Sequence, residues 1–276
     1  MPSPRARRAA RRNTGSDLGA RILYSIPAVA FAGFIVNQGG IVFAAGVLLL
    51  GFIGLHELFR MYDAVRPVRL AGFIGLAGLV AAAHFGDERQ VLLATAACFP
   101  LVFGVGLMLP EGGRLTASMS ITLLGIYWIG LAIAHAILLR ELDHGGGLVL
   151  AVLLGTFLGD TGAYLGGRML GTRPLAPKVS PNKTVEGLVV GFITATFVVW
   201  WYGLANEWMG GTQGVLLGLA VAAAAPVGDL FESKVKRDAG TKDAGTFFGA
   251  HGGVLDRLDA ALFALVAGYY VWLALV

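Results

Sequence analysis

Apolar runs close to the length that crosses a bilayer recur along this chain, and they leave few folds open to it. Nine are readable, at residues 20–36, 40–59, 69–86, 90–109, 117–139, 147–165, 187–205, 213–231 and 254–276. A helix of about 20 residues spans the hydrocarbon core, and in lipid a helix satisfies its own backbone polar groups. Hydrophobic residues make up 56% of the 276 positions and charged residues only 14%, more apolar content than a soluble domain of this size needs. The expected fold class is therefore an all-α integral membrane protein, a polytopic bundle of about nine transmembrane helices. The single cysteine, Cys98, sits within an apolar run, so an intrachain disulfide and a Cys-rich zinc site are both excluded.

Charge orients the bundle. With the N-terminus in the cytoplasm, alternation of the nine runs places every one of the 21 Lys and Arg on the cytoplasmic side except Arg89 and Arg140. Residues 1–19 carry Arg5, Arg7, Arg8, Arg11 and Arg12 among Pro, Ser and Gly, and read as a basic arm on an anionic membrane face. A nucleic-acid arm fits poorly beside so apolar a body. A cleavage-like Ala28-Val29-Ala30 falls inside the first run, with another run close behind, so an uncleaved first helix is expected. Three parts follow: the arm at 1–19, N-terminal transmembrane helices at 20–146, and a C-terminal transmembrane region at 147–276 with cytoplasmic loops at 166–186 and 232–253. Trp128, Trp200, Trp201 and Trp208 read as interfacial belt residues.

Against this apolar background, Ser233 to Asp259 is densely charged. Lys234, Lys236, Arg237, Lys242 and Arg257 alternate with Asp238, Asp243, Asp256 and Asp259, and Asp229 and Glu232 stand just upstream. Carboxylates bind Mg²⁺, and Lys and Arg neutralise phosphate oxygens, so the mixture suits a site holding a metal and a polyphosphate together. The fixed order Ser233, Lys236-Arg237, Lys242-Asp243, His251-Gly252-Gly253, Asp256-Arg257 and Asp259 resembles the signature of the phosphatidate cytidylyltransferases, the CDP-diacylglycerol synthases. Gly249 stands where that family more usually has Pro.

A second segment, 159–187, resembles the same family. Asp160, Ala163 and Tyr164 lead to Gly167-Arg168, and then to Ser180-Pro181-Asn182-Lys183-Thr184, Glu186 and Gly187. Asn182 replaces a usual Lys and Val185 a frequent Trp. Positive-inside bias alone accounts for the charge of this loop but not for the order of its residues.

The resemblance implies transfer of a cytidylyl group from CTP to phosphatidic acid, giving CDP-diacylglycerol and pyrophosphate, in phospholipid biosynthesis at the inner, cytoplasmic membrane face. The expected catalytic residues are Asp229, Lys236, Arg237, Lys242, Asp243 and Asp256. Ser180, Lys183, Arg168, Ser233, His251 and Arg257 are expected to bind substrate. On a helix Asp229 and Glu232 share a face, as do Asp256 and Asp259; Asp229, Asp256 and Asp259 are expected to hold the metal. Hard oxygen ligands favour Mg²⁺ over zinc, and a second, monovalent cation is left open. The alternative for Asp256 and Asp259 is salt bridging to Arg257, Lys236 or Lys242. His251 either donates to a phosphate or holds its turn. Glu57 followed by Arg60 reads as an ion pair at the cytoplasmic edge. Expected partners are CTP, phosphatidic acid and the bilayer, with no nucleic acid; a homodimer is left open. Two other readings stay in play: a membrane lipid or polyprenol kinase, and an ion-coupled transporter, whose acidic residues would lie in mid-membrane rather than at one edge.

Overall fold

The structure, a computed structural model, describes residues 27, 29–108, 114–245 and 252–276. The basic arm, the start of the first expected span and His251 lie outside these residues. Ten helices follow in order: α1 (Val29–Gln38), α2 (Gly40–Met61), α3 (Arg69–Phe85), α4 (Glu88–Leu107), α5 (Leu115–Gly125), α6 (Leu131–Glu141), α7 (Gly145–Leu170), α8 (Val185–Ala205), α9 (Gly211–Asp238) and α10 (Leu255–Leu273). A π-helical turn, Ile126–Gly130, joins α5 to α6 into one long helix. The protein is an all-α polytopic membrane protein. Six helices are long and apolar enough to cross: α2, α4, the joined α5–α6, α7, α8 and α9. The shorter α3 and α1, and α10 with Asp256, Arg257 and Asp259 in its first turns, fall outside that group, so length and composition do not establish nine spans.

Caps and breakers set the helix ends. Asp87 caps α4, accepting from the amide of Arg89, while Gln90 reaches back to the Asp87 amide. Thr184 caps α8 through the amide of Gly187. Two helices overrun the loops expected from charge. α7 continues to Leu170, so its loop starts at 171 rather than 166. α9 continues to Asp238, so its loop starts at 239 rather than 232. The reason in α9 is local: Lys234 pairs with Asp238 at 2.6 Å and Lys236 with Glu232, both one turn apart. A polar, charge-matched segment is a good helix once it has left the bilayer. The 171–184 loop folds into an antiparallel hairpin of β1 (Pro174–Ala176) and β2 (Ser180–Thr184).

Helices α7 to α10 pack in sequence order. Glycines let the backbones meet: a Cβ at Gly191 would lie 2.7 Å from the Cβ of Ala163 in α7, and one at Gly228 would lie 2.5 Å from the Asp259 carbonyl oxygen in α10. The N-terminal half has its own apolar centre, with Leu55, Leu58, Phe59, Leu76, Ile126 and Ile129 fully buried. The π turn joins the two halves. Trp128 within it packs edge-on to Phe231 of α9, centroids 4.9 Å apart, and Phe231 in turn meets Phe263 of α10. Trp128 is thus buried in the interior and is not a belt residue. The sequence reading missed this because the π turn sits mid-helix. Trp201, 61% exposed, fits the belt.

Candidate active site

The polar residues gather where α7 ends, α8 begins, α9 ends and α10 begins. On this face the two charged segments, distant in sequence, touch. Lys183 on β2 forms an ion pair with Asp229 of α9. Arg237 of α9 lies against the hairpin turn, its Nε 3.5 Å from the Val179 carbonyl oxygen. The residue order of the hairpin segment has a structural basis. Thr184 caps α8. Glu186 collects the amide and hydroxyl of Thr172, at 3.1 and 2.8 Å, and the amide and Nε of Arg173, at 3.2 and 3.0 Å. That carboxylate clamps the loop's entry to its exit and leaves Lys183 presented to α9.

Carboxylates converge around this pair from three helices. Asp160 of α7 lies within electrostatic reach of Asp229 and Lys183. At 1.5 Å per residue, Asp160 is about 15 Å below the end of α7 and Asp229 about 13 Å below the end of α9, a similar depth. Ser233 lies one turn beyond Asp229, its Oγ 3.4 Å from Asp229 Oδ1. Pro226, inside α9, removes the amide that would bond the Ala222 carbonyl, and so loosens the helix one turn before Asp229. Asp259 of α10 faces Asp229 and Glu232. Glu232 is fully buried; one oxygen meets Lys236, and the other, Oε1, has no donor. Adjacent carboxylates of this kind are relieved by a shared proton or by a cation between them.

Lys236 bridges Glu232 and Asp256 Oδ1, the latter at 2.7 Å. Asp256 also accepts from the amide of Ala244 at 2.9 Å and from that of Gly253 at 2.6 Å. The salt-bridge alternative for Asp256 is therefore realised with Lys236. Lys242, Asp243, Arg168 and Arg257 are exposed. Ser180 opens β2, half-buried. The signature loop passes from Gly245 to Gly252 through residues that include His251, outside the described set.

Glu57 corrects one expectation. It is 5% exposed and does not pair with Arg60; Oε1 accepts from the amide of Val254 at 3.0 Å and Oε2 from that of Leu255 at 2.8 Å. The available signal was an acid inside an apolar span, a group that is costly at such depth without partners. Tyr62, just past α2, donates to the Val235 carbonyl at 3.0 Å, and burial pushes its phenol pKa up, so it stays a donor. A cavity of about 500 Å³ at the ends of α2 and α3, lined by His56, Arg60, Asp63 and Arg69, shares no residue with the carboxylate cluster.

The donor set fits a hard divalent cation by chemistry: Asp160, Asp229, Glu232 and Asp259 offer oxygens only, and Glu232 Oε1 is buried without a donor. As arranged, no three such groups among the described residues converge on one point.

The chain is similar to known proteins along most of its length. The family model for the cytidylyltransferase family matches residues 19–275. A phosphatidate cytidylyltransferase of a Synechocystis species is 30% identical, over 91% of this chain and 94% of its own. The protein of that name in Bacillus subtilis is 31% identical, over 92% of this chain and 97% of its own. The one in Mycobacterium bovis is 36% identical over 59% of this chain and 53% of its own.

Proposed function

This chain belongs to the cytidylyltransferase family, and from that premise we infer that it transfers a cytidylyl group from CTP to phosphatidic acid. The products are CDP-diacylglycerol and pyrophosphate. One observation carries the reading at the level of the site: Lys183, from the hairpin, reaches Asp229, from α9, so both charged segments serve one place.

An oxygen of the lipid phosphate attacks the α-phosphorus of CTP, the bond to the β-phosphate oxygen breaks, and pyrophosphate leaves. The lipid phosphate is already largely ionised near neutral pH, so no general base is needed, and Asp243 is assigned no proton transfer. The difficulty is bringing two anions together, which makes catalysis a matter of neutralisation and alignment. Lys183, with Ser180 and Arg168, meets the phosphatidate head group. Arg237 and Lys242, with Ser233, His251 and Arg257, hold the nucleotide phosphates and the departing pyrophosphate. Lys236 sits half-buried between Glu232 and Asp256, and its charge acts on the same phosphates from below. Mg²⁺ held by Asp229 and Asp259, with Asp160 alongside, would polarise phosphoryl oxygens as a Lewis acid. Asp256, expected among the metal ligands, already holds two amides and Lys236, and its part in this reading is to tie α9, α10 and the signature loop together.

The site face is assigned to the cytoplasm of a cell with the protein in its inner membrane. Every described Lys and Arg except Arg89 and Arg140 belongs to that face or its loops, as the positive-inside rule requires. CTP is then on the correct side, and phosphatidate presents its head group from the same leaflet.

The test is to incubate purified protein with phosphatidate, Mg²⁺ and each labelled nucleoside triphosphate in turn. The expected result is a cytidylyl-lipid from CTP alone, with pyrophosphate released. Release of a nucleoside diphosphate would instead make the protein a kinase.

A further inference from the structure

Helix α10 begins without a cap of its own. Its first residue is Leu255, and Val254, at the cap position, has no side-chain oxygen with which to meet the free amides of the first turn. The missing acceptor comes from the other half of the chain. Glu57, on α2, receives the amides of both Val254 and Leu255, at 3.0 and 2.8 Å. A carboxylate there also faces the positive end of the α10 dipole.

The contact reaches further than one helix end. A Cβ at Gly253 or at Gly245 would collide with Glu57 Oε1, so the backbone closes on this carboxylate from both ends of the 245–253 segment. The amides around it are shared between two acids. Gly253 and Ala244 give theirs to Asp256, while Val254 and Leu255 give theirs to Glu57. Asp256 in turn holds Lys236 at 2.7 Å. One carboxylate from the N-terminal half therefore sets the base of the signature loop, the start of α10 and, through Asp256, the placement of Lys236.

We propose that Glu57 is a positioning residue for cytidylyl transfer, which clamps both ends of the signature loop and fixes Asp256 and Lys236 in register with the hairpin. This rests on the function inferred above. Glu57 is buried with both oxygens taken by backbone amides, so it acts through Asp256 and Lys236 and is not itself a catalytic residue. It also gives the N-terminal helices a part in the reaction beyond anchoring.

Glu57→Gln tests this. The side chain keeps its shape, but its amide nitrogen must face one of the two backbone N–H groups it formerly accepted. The variant is to be purified beside the wild type and measured three ways: kcat and KM for each substrate, thermal unfolding, and amide hydrogen exchange by mass spectrometry. The expected result is kcat lowered tenfold or more, KM for phosphatidate within twofold, an unfolding temperature within a few degrees of wild type, and faster exchange confined to 244–256. Glu57→Asp, too short to reach both amides, should show the same exchange pattern. Wild-type kcat in Glu57→Gln would overturn the proposal. So would faster exchange spread over all the helices, which would mark a purely structural role. If the wild type itself made no cytidylyl-lipid, the functional reading would fall, and the exchange pattern would still decide whether Glu57 clamps the loop.

Discussion

Asn182 and Lys183 are neighbours on β2 with different surroundings. Asn182 is exposed, whereas Lys183 is half-buried and paired with Asp229. Removing Lys183 leaves Asp229 without its ion-pair partner and Asp160 without the cation it faces, and takes away the charge assigned above to the lipid phosphate. Lys183→Ala should therefore lower kcat/KM by about 10²-fold or more, the scale of losing one preorganised electrostatic contact. Asn182→Ala should stay within about threefold by the same reasoning. Asp229→Ala should abolish CTP-dependent product while the protein still purifies from membranes as a single species in detergent. Steady-state assays on the three variants check this, and a loss in Asn182→Ala equal to that in Lys183→Ala would refute the division of roles. These residues were legible because their types and order carried the chemistry. Glu57 was not, because its partners lie 197 and 198 residues further on, and nothing local distinguishes a carboxylate that caps a distant helix from one that pairs with Arg60.

Helices were legible wherever apolar length decided them, and less so where charge took over. By hydropathy the span ends near residue 232, yet α9 continues to Asp238 on paired side chains. The hairpin was read as loop, since a short pair of strands closed by Glu186 has no periodic pattern to announce it. What sets the site at this scale is the spacing of α9 and α10, and Gly228 controls it. Replacing a helical Gly by Ala gains about 1 kcal/mol of helix stability. The added Cβ would stand 2.5 Å from the Asp259 carbonyl oxygen, a backbone atom that cannot swing aside. Overpacking of this kind costs about 1–3 kcal/mol. The balance is a net cost of about 0–2 kcal/mol, small beside the effect on the site, because the helices must part where Asp229 and Glu232 face Asp259. Gly228→Ala should thus unfold within a few degrees of wild type and lose tenfold or more in kcat, as thermal unfolding beside activity would measure. Full kcat would show that the site tolerates a wider gap.

At the scale of the whole molecule, the contacts fix which helix ends lie together. Glu57 and Tyr62 bring the end of α2 to α9 and α10, and Ser118 of α5 donates to the Val65 carbonyl at 2.7 Å beside the start of α3. At the far side, Arg140 at the end of α6 donates to the Val36 carbonyl at 2.9 Å, next to the turn between α1 and α2. With α5 and α6 counted as the one helix they form, successive helices therefore alternate in direction, and the hairpin, the signature loop and the α2–α3 connection share one face. Which compartment that face meets is a matter of charge. Moving it outside would carry nearly all the described cations across the membrane, against the bias that orients such proteins. Cys98 is the only cysteine and is buried, so Cys98→Ala provides a background in which a single new thiol reports its own side. Lys178→Cys, in the exposed hairpin turn, should resist a membrane-impermeant maleimide in intact cells and react once the membrane is opened. Asp143→Cys, in the exposed turn between α6 and α7, should react in intact cells. The opposite pattern would put the carboxylates and the hairpin on the side without CTP, and no cytidylyl transfer could occur at this site whatever its local chemistry.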